Sequence, residues 1–329
     1  MLRLLWRTDV HYSDQTPSSR TDDWTETVAH KLAEVGRIAR DHECRAVIDG
    51  GDFFNEKTPV RTSHRLVGRI ARIHAHYPCP VFCNVGNHDV RLARLENLAE
   101  SPLGSLFDAG VFYPLHDSNE MLVDHEGVKV RAVGIPYHGP RYDLDRFRAI
   151  SRRDEDWLLC AAHLLASPHG GEMFKKEDIV RYSDLPELAP DVDIFLLSHW
   201  HKDQGIEEVA DGKWVVNVGS LTRGALTQDN VDREPGVVVI GLWPRSRGIP
   251  PQLEFVKISV RPASEVFDME KRTREEARLM TVDAFVESVR RELQSSSDRP
   301  FSEIVAEMDL PDRVRERAMA YIEEAARPR

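Results

Sequence analysis

Apolar and polar positions alternate along this chain in two rhythms. Over the first 240 residues, short apolar runs are separated by stretches with helical spacing. The runs Leu2–Thr8, Ala46–Ile48, Val81–Val85, Trp157–Ala162 and Ile194–Leu197 predict strands. Met121–Val133 predicts a hairpin turning at Glu126-Gly127. Lys213–Val218, Val237–Leu242 and Leu253–Val260 complete a strand-rich second half. Helical spacing predicts a helix over Trp24–Asp41, with Val28, Leu32, Val35 and Ile38 on one face. A second helix is predicted over Arg61–His76, on Leu66, Ile70 and Ile73. The pattern is that of an α/β fold with sheets inside and helices outside. It changes after Pro262. Residues 263–329 are helical and charged, with one helix capped by Thr281 and carrying Val282, Phe285, Val286, Val289 and Leu293. Another opens at Pro311 and carries Val314, Ala318, Tyr321, Ile322 and Ala325. Two regions are therefore expected: 1–262 as the main domain, and 263–329 as a short helical appendage whose apolar stripes need a surface, either the main domain or a partner.

Composition narrows the class. The 329 residues are 41% hydrophobic and 30% charged, which excludes a collagen-like, disordered or disulfide-stapled chain. The net charge of −11 argues against a protein that coats nucleic acid by bulk charge alone. Arg3 and Arg7 interrupt the N-terminal apolar run, so no signal-peptide core is expected. No run approaches the roughly 18 apolar residues of a membrane span. Cys44, Cys79, Cys83 and Cys160 are scattered and are expected as reduced thiols in a cytoplasmic protein.

The chemistry lies just after the apolar runs. Asp9-Val10-His11 follows the first, Gly51-Asp52 the second and Gly86-Asn87-His88-Asp89 the third; His163 and His199-Trp200-His201 end two more. Strand ends are where loops of an α/β sheet converge on a site. Carboxylate, amide carbonyl and imidazole suit manganese, iron or zinc, without a thiolate. Two divalent ions would bring four positive charges against the two negative charges of Asp9 and Asp52. That excess favours hydroxide and a phosphate ester.

In this order, the five segments resemble the calcineurin-like metallophosphoesterase superfamily, whose pattern is D-x-H, G-D, G-N-H-D/E, a lone H and G-H-x-H. The resemblance covers roughly residues 1–225 and implies a four-layer α-β-β-α sandwich. It implies two divalent ions, manganese first, with iron or zinc as alternatives. Asp9, His11, Asp52 and His201 would hold one ion; Asp52, Asn87, His163 and His199 would hold the other. His88 would contact the scissile phosphate or protonate the leaving oxygen, and Asp89 would orient His88. Ser198 stands where the pattern has glycine.

Further segments are similar to SbcD-type DNA double-strand-break repair nucleases. They are Gly51-Asp52-Phe53-Phe54-Asn55 followed by Pro59, Pro80–Asp89, Gly134-Ile135-Pro136-Tyr137, His201-Lys202-Asp203-Gln204 and Asn217–Arg223. This likeness implies a DNA substrate, a partner ATPase of SMC-like coiled-coil (SbcC) type and dimerisation through helices. It offers Arg223 as a substrate contact. Residues 57–100 hold seven Lys or Arg against three acids, with Arg61, Arg65, Arg69 and Arg72 on one helical face. Such a stripe can meet phosphates or simply be a solvated face. The competing expectation is a small-molecule phosphodiesterase or phosphatase with the same metal site. A non-catalytic scaffold is a third, which has no physical need for so many polar groups at strand ends.

Overall fold

Alternation along the strands decides which side of each sheet is packed. The computed structural model describes residues 1–55, 62–169 and 177–270. Its strands are β1 (Leu2–Arg7), β2 (Ala46–Asp49), β3 (Val81–Cys83), β4 (Tyr113–Pro114), β5 (Met121–His125), β6 (Val128–Ile135), β7 (Trp157–His163), β8 (Ala166–Ser167), β9 (Val180–Arg181), β10 (Ile194–Ser198), β11 (Gly205–Ala210), β12 (Lys213–Asn217), β13 (Gly236–Leu242) and β14 (Gln252–Lys257). One six-stranded sheet has the order β14-β13-β1-β2-β3-β4 and the other β11-β12-β10-β7-β6-β5; β8 and β9 pair separately. Strands β1 to β4 run parallel, as do β6, β7, β10 and β12. The parallel core of each sheet therefore delivers several strand ends to one edge.

Leu2, Leu4 and Trp6 of β1 meet Leu159, Ala161, Ile194 and Leu196 of the other sheet in a shared inner core. Leu5 and Val47 face outward against helices α1 (Trp24–Asp41), α2 (His64–His74) and α3 (Pro102–Asp108). On the far side, Leu158, Cys160, Phe195 and Leu197 are covered by Tyr142, Phe147, Tyr182 and Leu185. These are the four layers expected of the fold, and the fourth is thin: its helices α4 (Asp145–Arg148) and α5 (Leu185–Leu188) are single turns.

Helix α1 starts where expected because Asp23 accepts from the Glu26 N–H, and Val28, Leu32, Val35 and Ile38 are all buried. Helix α2 begins at His64, capped by Ser63, and ends at His74. The hairpin turns at Glu126 and Gly127, both with positive φ (50° and 73°), as a tight two-residue turn requires. All four cysteines are free thiols. The first compact unit extends to Asp268 rather than stopping at Pro262, because Phe267 packs under Arg20 and Val266 accepts from Thr21. Residues 271–329 lie outside the described residues, and with them the expected helices around Phe285 and Tyr321. Lys57, Pro59 and Arg61 also lie outside. Among the described residues, no helix is long and apolar enough to cross a membrane.

Helix α1 also carries a cation inward. Lys31 is 6% exposed and donates one hydrogen bond, to the Ser259 carbonyl at 3.3 Å. Burial, reinforced by the Arg223 guanidinium, pulls its pKa down to about 7. From there up to the ordinary lysine value of about 10.4, the unfolded chain binds more protons than the folded one. Stability therefore rises with pH through that window, and the burial penalty is fully present below it. Lys31→Met is expected to raise the thermal midpoint near pH 7, with the gain closing toward about pH 10. Melting curves across that range check it; a Lys31→Met protein less stable than wild type near neutrality would contradict the burial penalty.

Candidate metal centre

Strands β1, β2 and β3 end in the loops that carry Asp9 and His11, Asp52, and Asn87 and His88. Strand β7 ends on His163, and β10 ends on Ser198, just before His199 and His201. The two sheets thus bring the five expected segments to one place. The ligand-type atoms of Asp9, His11, Asp52 and His201 lie within 4.8 Å of one another, and so do those of Asp52, His163 and His199. Asp52 belongs to both groups. Asn87 joins the second, with its carbonyl oxygen 3.3 Å from His163 Nε2.

Backbone geometry makes this convergence. Asp9, His11, Asp52 and His199 all adopt positive φ (52°, 49°, 51° and 84°). The loops after β1 and β2 run side by side: Asp9 N–H donates to Gly51 O (3.1 Å), His11 N–H to Asp52 O (3.0 Å) and Tyr12 N–H to Phe53 O (2.8 Å). The Asp9 carboxylate accepts from the His199 N–H at 3.2 Å, tying the third loop to the first. Gly86 passes so close that a β-carbon there would run into the Asp52 carboxylate and approach His163 Cε1 to 2.6 Å.

In the first group, His11 Nε2 lies 2.9 Å from His201 Nε2 and 3.7 Å from Asp52 Oδ2. In the second, His163 Nε2 lies 3.4 Å from Asp52 Oδ2. Burial by itself would push the Asp52 carboxyl up; the imidazoles of His163, His11 and His88 outweigh it and hold it well below the usual range. For His163, burial opposes charging, and Asp52 beside it wins and raises its pKa. Burial and the facing His201 keep His11 well below the ordinary histidine value. Among the described residues of the site, Asp52 Oδ2 and His11 Nδ1 are buried with no hydrogen-bond partner. A buried carboxylate oxygen left unpaired is costly unless a cation completes it. That orphan, ringed by histidine nitrogens, fits a pair of divalent ions sharing Asp52.

Ser198 fits where the resembled pattern has glycine. Its hydroxyl lies 2.9 Å from Gly50 O, 3.1 Å from Ala162 O and 3.1 Å from His163 Nδ1. His163 Nδ1 also lies 2.9 Å from Gly50 O, so that nitrogen carries the proton and Nε2 faces Asp52.

Two expected roles change. Asp89 does not orient His88: its oxygens accept from the Phe54 and Gly86 N–H groups (3.0 and 2.9 Å) and pin two loops together. The Asn55 carbonyl is the group facing His88 Nδ1, at 3.0 Å. Arg223 is not placed for a substrate contact. It is buried, its terminal nitrogens donate to the carbonyls of Asn230 (3.3 Å) and Arg261 (2.6 Å), and its neighbours Thr222 and Gly224 line the site in its place. Arg69, of the basic stripe, is paired with Glu26. Trp200 packs against the outer core of the second sheet.

The sequence did not point to Glu177, whose Oε1 lies 3.0 Å from His199 Nε2. Burial favours its protonation, but the hydrogen bonds from His199 and Tyr142 hold its pKa below the usual range. Nor did it point to Asn84, whose amide donates to Ile135 O (3.0 Å) and Ala161 O (3.1 Å) across the gap between the sheets. A cleft of about 450 Å³ opens beside His11, His88 and His201, walled by Gln15, Thr16, Pro17, Trp24 and Thr222. Among the described residues, no lysine or arginine lines it.

Comparison with known proteins adds a family. The family model for calcineurin-like phosphoesterases matches residues 2–203. No curated protein sequence matches the chain. Among solved structures, a dimetal phosphatase from Danio rerio is similar at 12% identity and a TM-score of 0.48, covering 77% of this chain and 98% of its own. An archaeal phosphodiesterase is similar at 14% identity and a TM-score of 0.37, covering 78% of this chain and 100% of its own.

Crowding at Gly86 gives a direct test of the centre. Gly86→Ala is expected to keep native circular dichroism while losing divalent ions from both groups, since its methyl displaces their shared carboxylate. Metal analysis after equilibration with manganese checks it, with Asp52→Asn as reference; full occupancy in Gly86→Ala would contradict the assignment.

Proposed function

This chain belongs to the calcineurin-like phosphoesterase family, and we propose that it is a metal-dependent DNA nuclease of SbcD type, acting in DNA repair or recombination. Membership makes it a metallophosphoesterase, a hydrolase with a dinuclear divalent-metal site. One observation carries the chemistry. Asp52 is shared by the two donor groups, and the His88 ring lies at their edge, 4.9 Å from that of His11. The nuclease reading is supported by the segments around these residues, from Gly51-Asp52-Phe53-Phe54-Asn55 to Asn217–Arg223.

Asp9, His11, Asp52 and His201 would hold one ion, and Asp52, Asn87, His163 and His199 the other. The pair supplies positive charge for the phosphoryl centre and activates water near neutral pH. We favour manganese over iron or zinc, because carboxylate and carbonyl oxygens stand beside the imidazoles. The chain's own residues do the rest. The His88 N–H donates to Asp52 Oδ1 at 2.6 Å, fixing the loop that carries it to the common carboxylate. The Asn55 carbonyl accepts from His88 Nδ1–H, leaving Nε2 as the atom that meets the phosphate or hands a proton to the leaving oxygen. Asp89 holds the main chain of the same loop through Gly86.

The second reading is a phosphodiesterase or phosphatase for small molecules. The lack of lysine and arginine along the described lining of the cleft favours it, since a duplex carries dense negative charge and is gripped by those residues. In the nuclease reading that grip comes from elsewhere: the arginines of residues 57–100, a second copy of the chain, or an SMC-like coiled-coil ATPase partner of SbcC type docking on residues 263–329. Isolated-chain DNA affinity is then weak and salt-sensitive.

Purified protein with manganese is expected to cleave end-labelled duplex DNA, and a chelator to abolish cleavage. Efficient hydrolysis of a cyclic nucleotide or a simple diester, with DNA untouched, would replace this reading by the second. His88→Ala is expected to retain both ions and lose turnover by about 10²–10⁴-fold. Unchanged turnover would remove His88 from the reaction.

A further inference from the structure

We propose that Glu177 is the residue that positions His199 for the second ion, an inference that rests on the two-ion reading above. His199 needs such a residue. Its backbone is fixed by the left-handed φ of 84° and by the N–H bond to Asp9, but neither constraint sets the rotation of its ring. The ring also has two nitrogens, and in the neutral form only one has a lone pair to give. A carboxylate on one nitrogen settles both questions, because it fixes the proton there and turns the other nitrogen to the ion.

Glu177 is held for that task. Its Oε1 lies 3.0 Å from His199 Nε2 and accepts from the Tyr142 hydroxyl at 2.6 Å. The Tyr142 oxygen in turn accepts from the Leu165 N–H at 2.9 Å, so its own proton is directed to Glu177. Leu165 lies two residues beyond His163, at the end of β7. The relay therefore starts on the backbone beside one histidine of the second group and ends on the ring of the other. The Tyr137 hydroxyl lies near the same carboxylate, and its ring lies 5.3 Å from that of His199.

The two histidines of this group are set in opposite senses. His163 has its proton on Nδ1, against the Gly50 carbonyl, and gives Nε2. His199 has its proton on Nε2, against Glu177, and gives Nδ1. Each needs its own acceptor, and only one of these is main chain. Glu177 is a positioning residue: it touches His199 and not the substrate.

The test reads metal binding and tautomer, not turnover. Calorimetric titration of the full-length, metal-free protein with manganese is expected to show one ion bound as in wild type by Glu177→Ala, and the other weakened about 10–100-fold. Glu177→Gln keeps an oxygen acceptor and is expected to lie between the two. In metal-free protein, histidine side-chain ¹⁵N correlations are expected to show His199 protonated on Nε2 in wild type and as a tautomer mixture in Glu177→Ala. His199→Ala is the reference and should weaken the same ion, with no further loss in the double variant. If His199→Ala weakens that ion while Glu177→Ala leaves both ions and the tautomer unchanged, this inference falls and the two-ion site stands. If His199→Ala leaves both ions in place, the site reading falls and the inference with it. Equal weakening of both ions by Glu177→Ala also overturns it, since that is the signature of general loosening.

Discussion

The centre depends on a backbone constraint. Asp9, His11, Asp52 and His199 all sit in the left-handed region, where a residue with a β-carbon costs roughly 1–2 kcal/mol. Such conformations persist only where the surroundings over-determine them. Here the loops after β1 and β2 continue the pairing of their strands, through the bonds of Asp9 to Gly51, His11 to Asp52 and Tyr12 to Phe53. The third loop is tied in through the Asp9 carboxylate. Each strained residue is thus held by the loop that carries another, so the donors reach one point together or not at all.

Beneath that knot lies a fully buried ion pair. Arg7 ends β1 and Asp49 ends β2; they are register partners and meet at 2.6 Å, with neither side chain exposed. Arg7 also reaches the Tyr77 hydroxyl (2.8 Å) and His74 Nε2 (3.0 Å), and Asp49 accepts from the Gly51 N–H (3.1 Å). Removing one member of such a pair leaves an uncompensated buried charge, a loss of about 3–5 kcal/mol. The pair links helix α2 to the turn that presents Asp52, so packing on the outer face of the sheet is coupled to the geometry of the site.

Much of this could be read from the chain. Helix α1 was legible because its apolar stripe and its Asp23 cap agree, and the central strands because their apolar runs are buried on both faces. The seven metal-type residues were legible from the order of short motifs at strand ends. What escaped was set by tertiary contact. Strand β11 is an edge strand with exposed residues at its middle, so no alternation announces it. Arg7 reads as a break in an apolar run, yet it lies fully inside. Glu177 stands in a charged stretch, Lys175-Lys176-Glu177-Asp178, where nothing local separates a site residue from a solvated one. The motifs place Asp89 and Arg223 at the site, but motif position does not tell which main-chain groups a side chain will find.

Asn84 gives the site a mechanical property. Its residue follows a strand of one sheet, and its amide grips Ile135 and Ala161 of the other, directly behind the donors. Both donor groups draw members from both sheets, so any sliding of one sheet over the other would shear the two groups at once. A single carboxamide with two carbonyl anchors opposes that displacement at the edge where it would matter. The slip plane of the sandwich is therefore pinned at its functional end, as Trp157 Nε1, donating to the Trp243 carbonyl at 2.7 Å, pins it at the other.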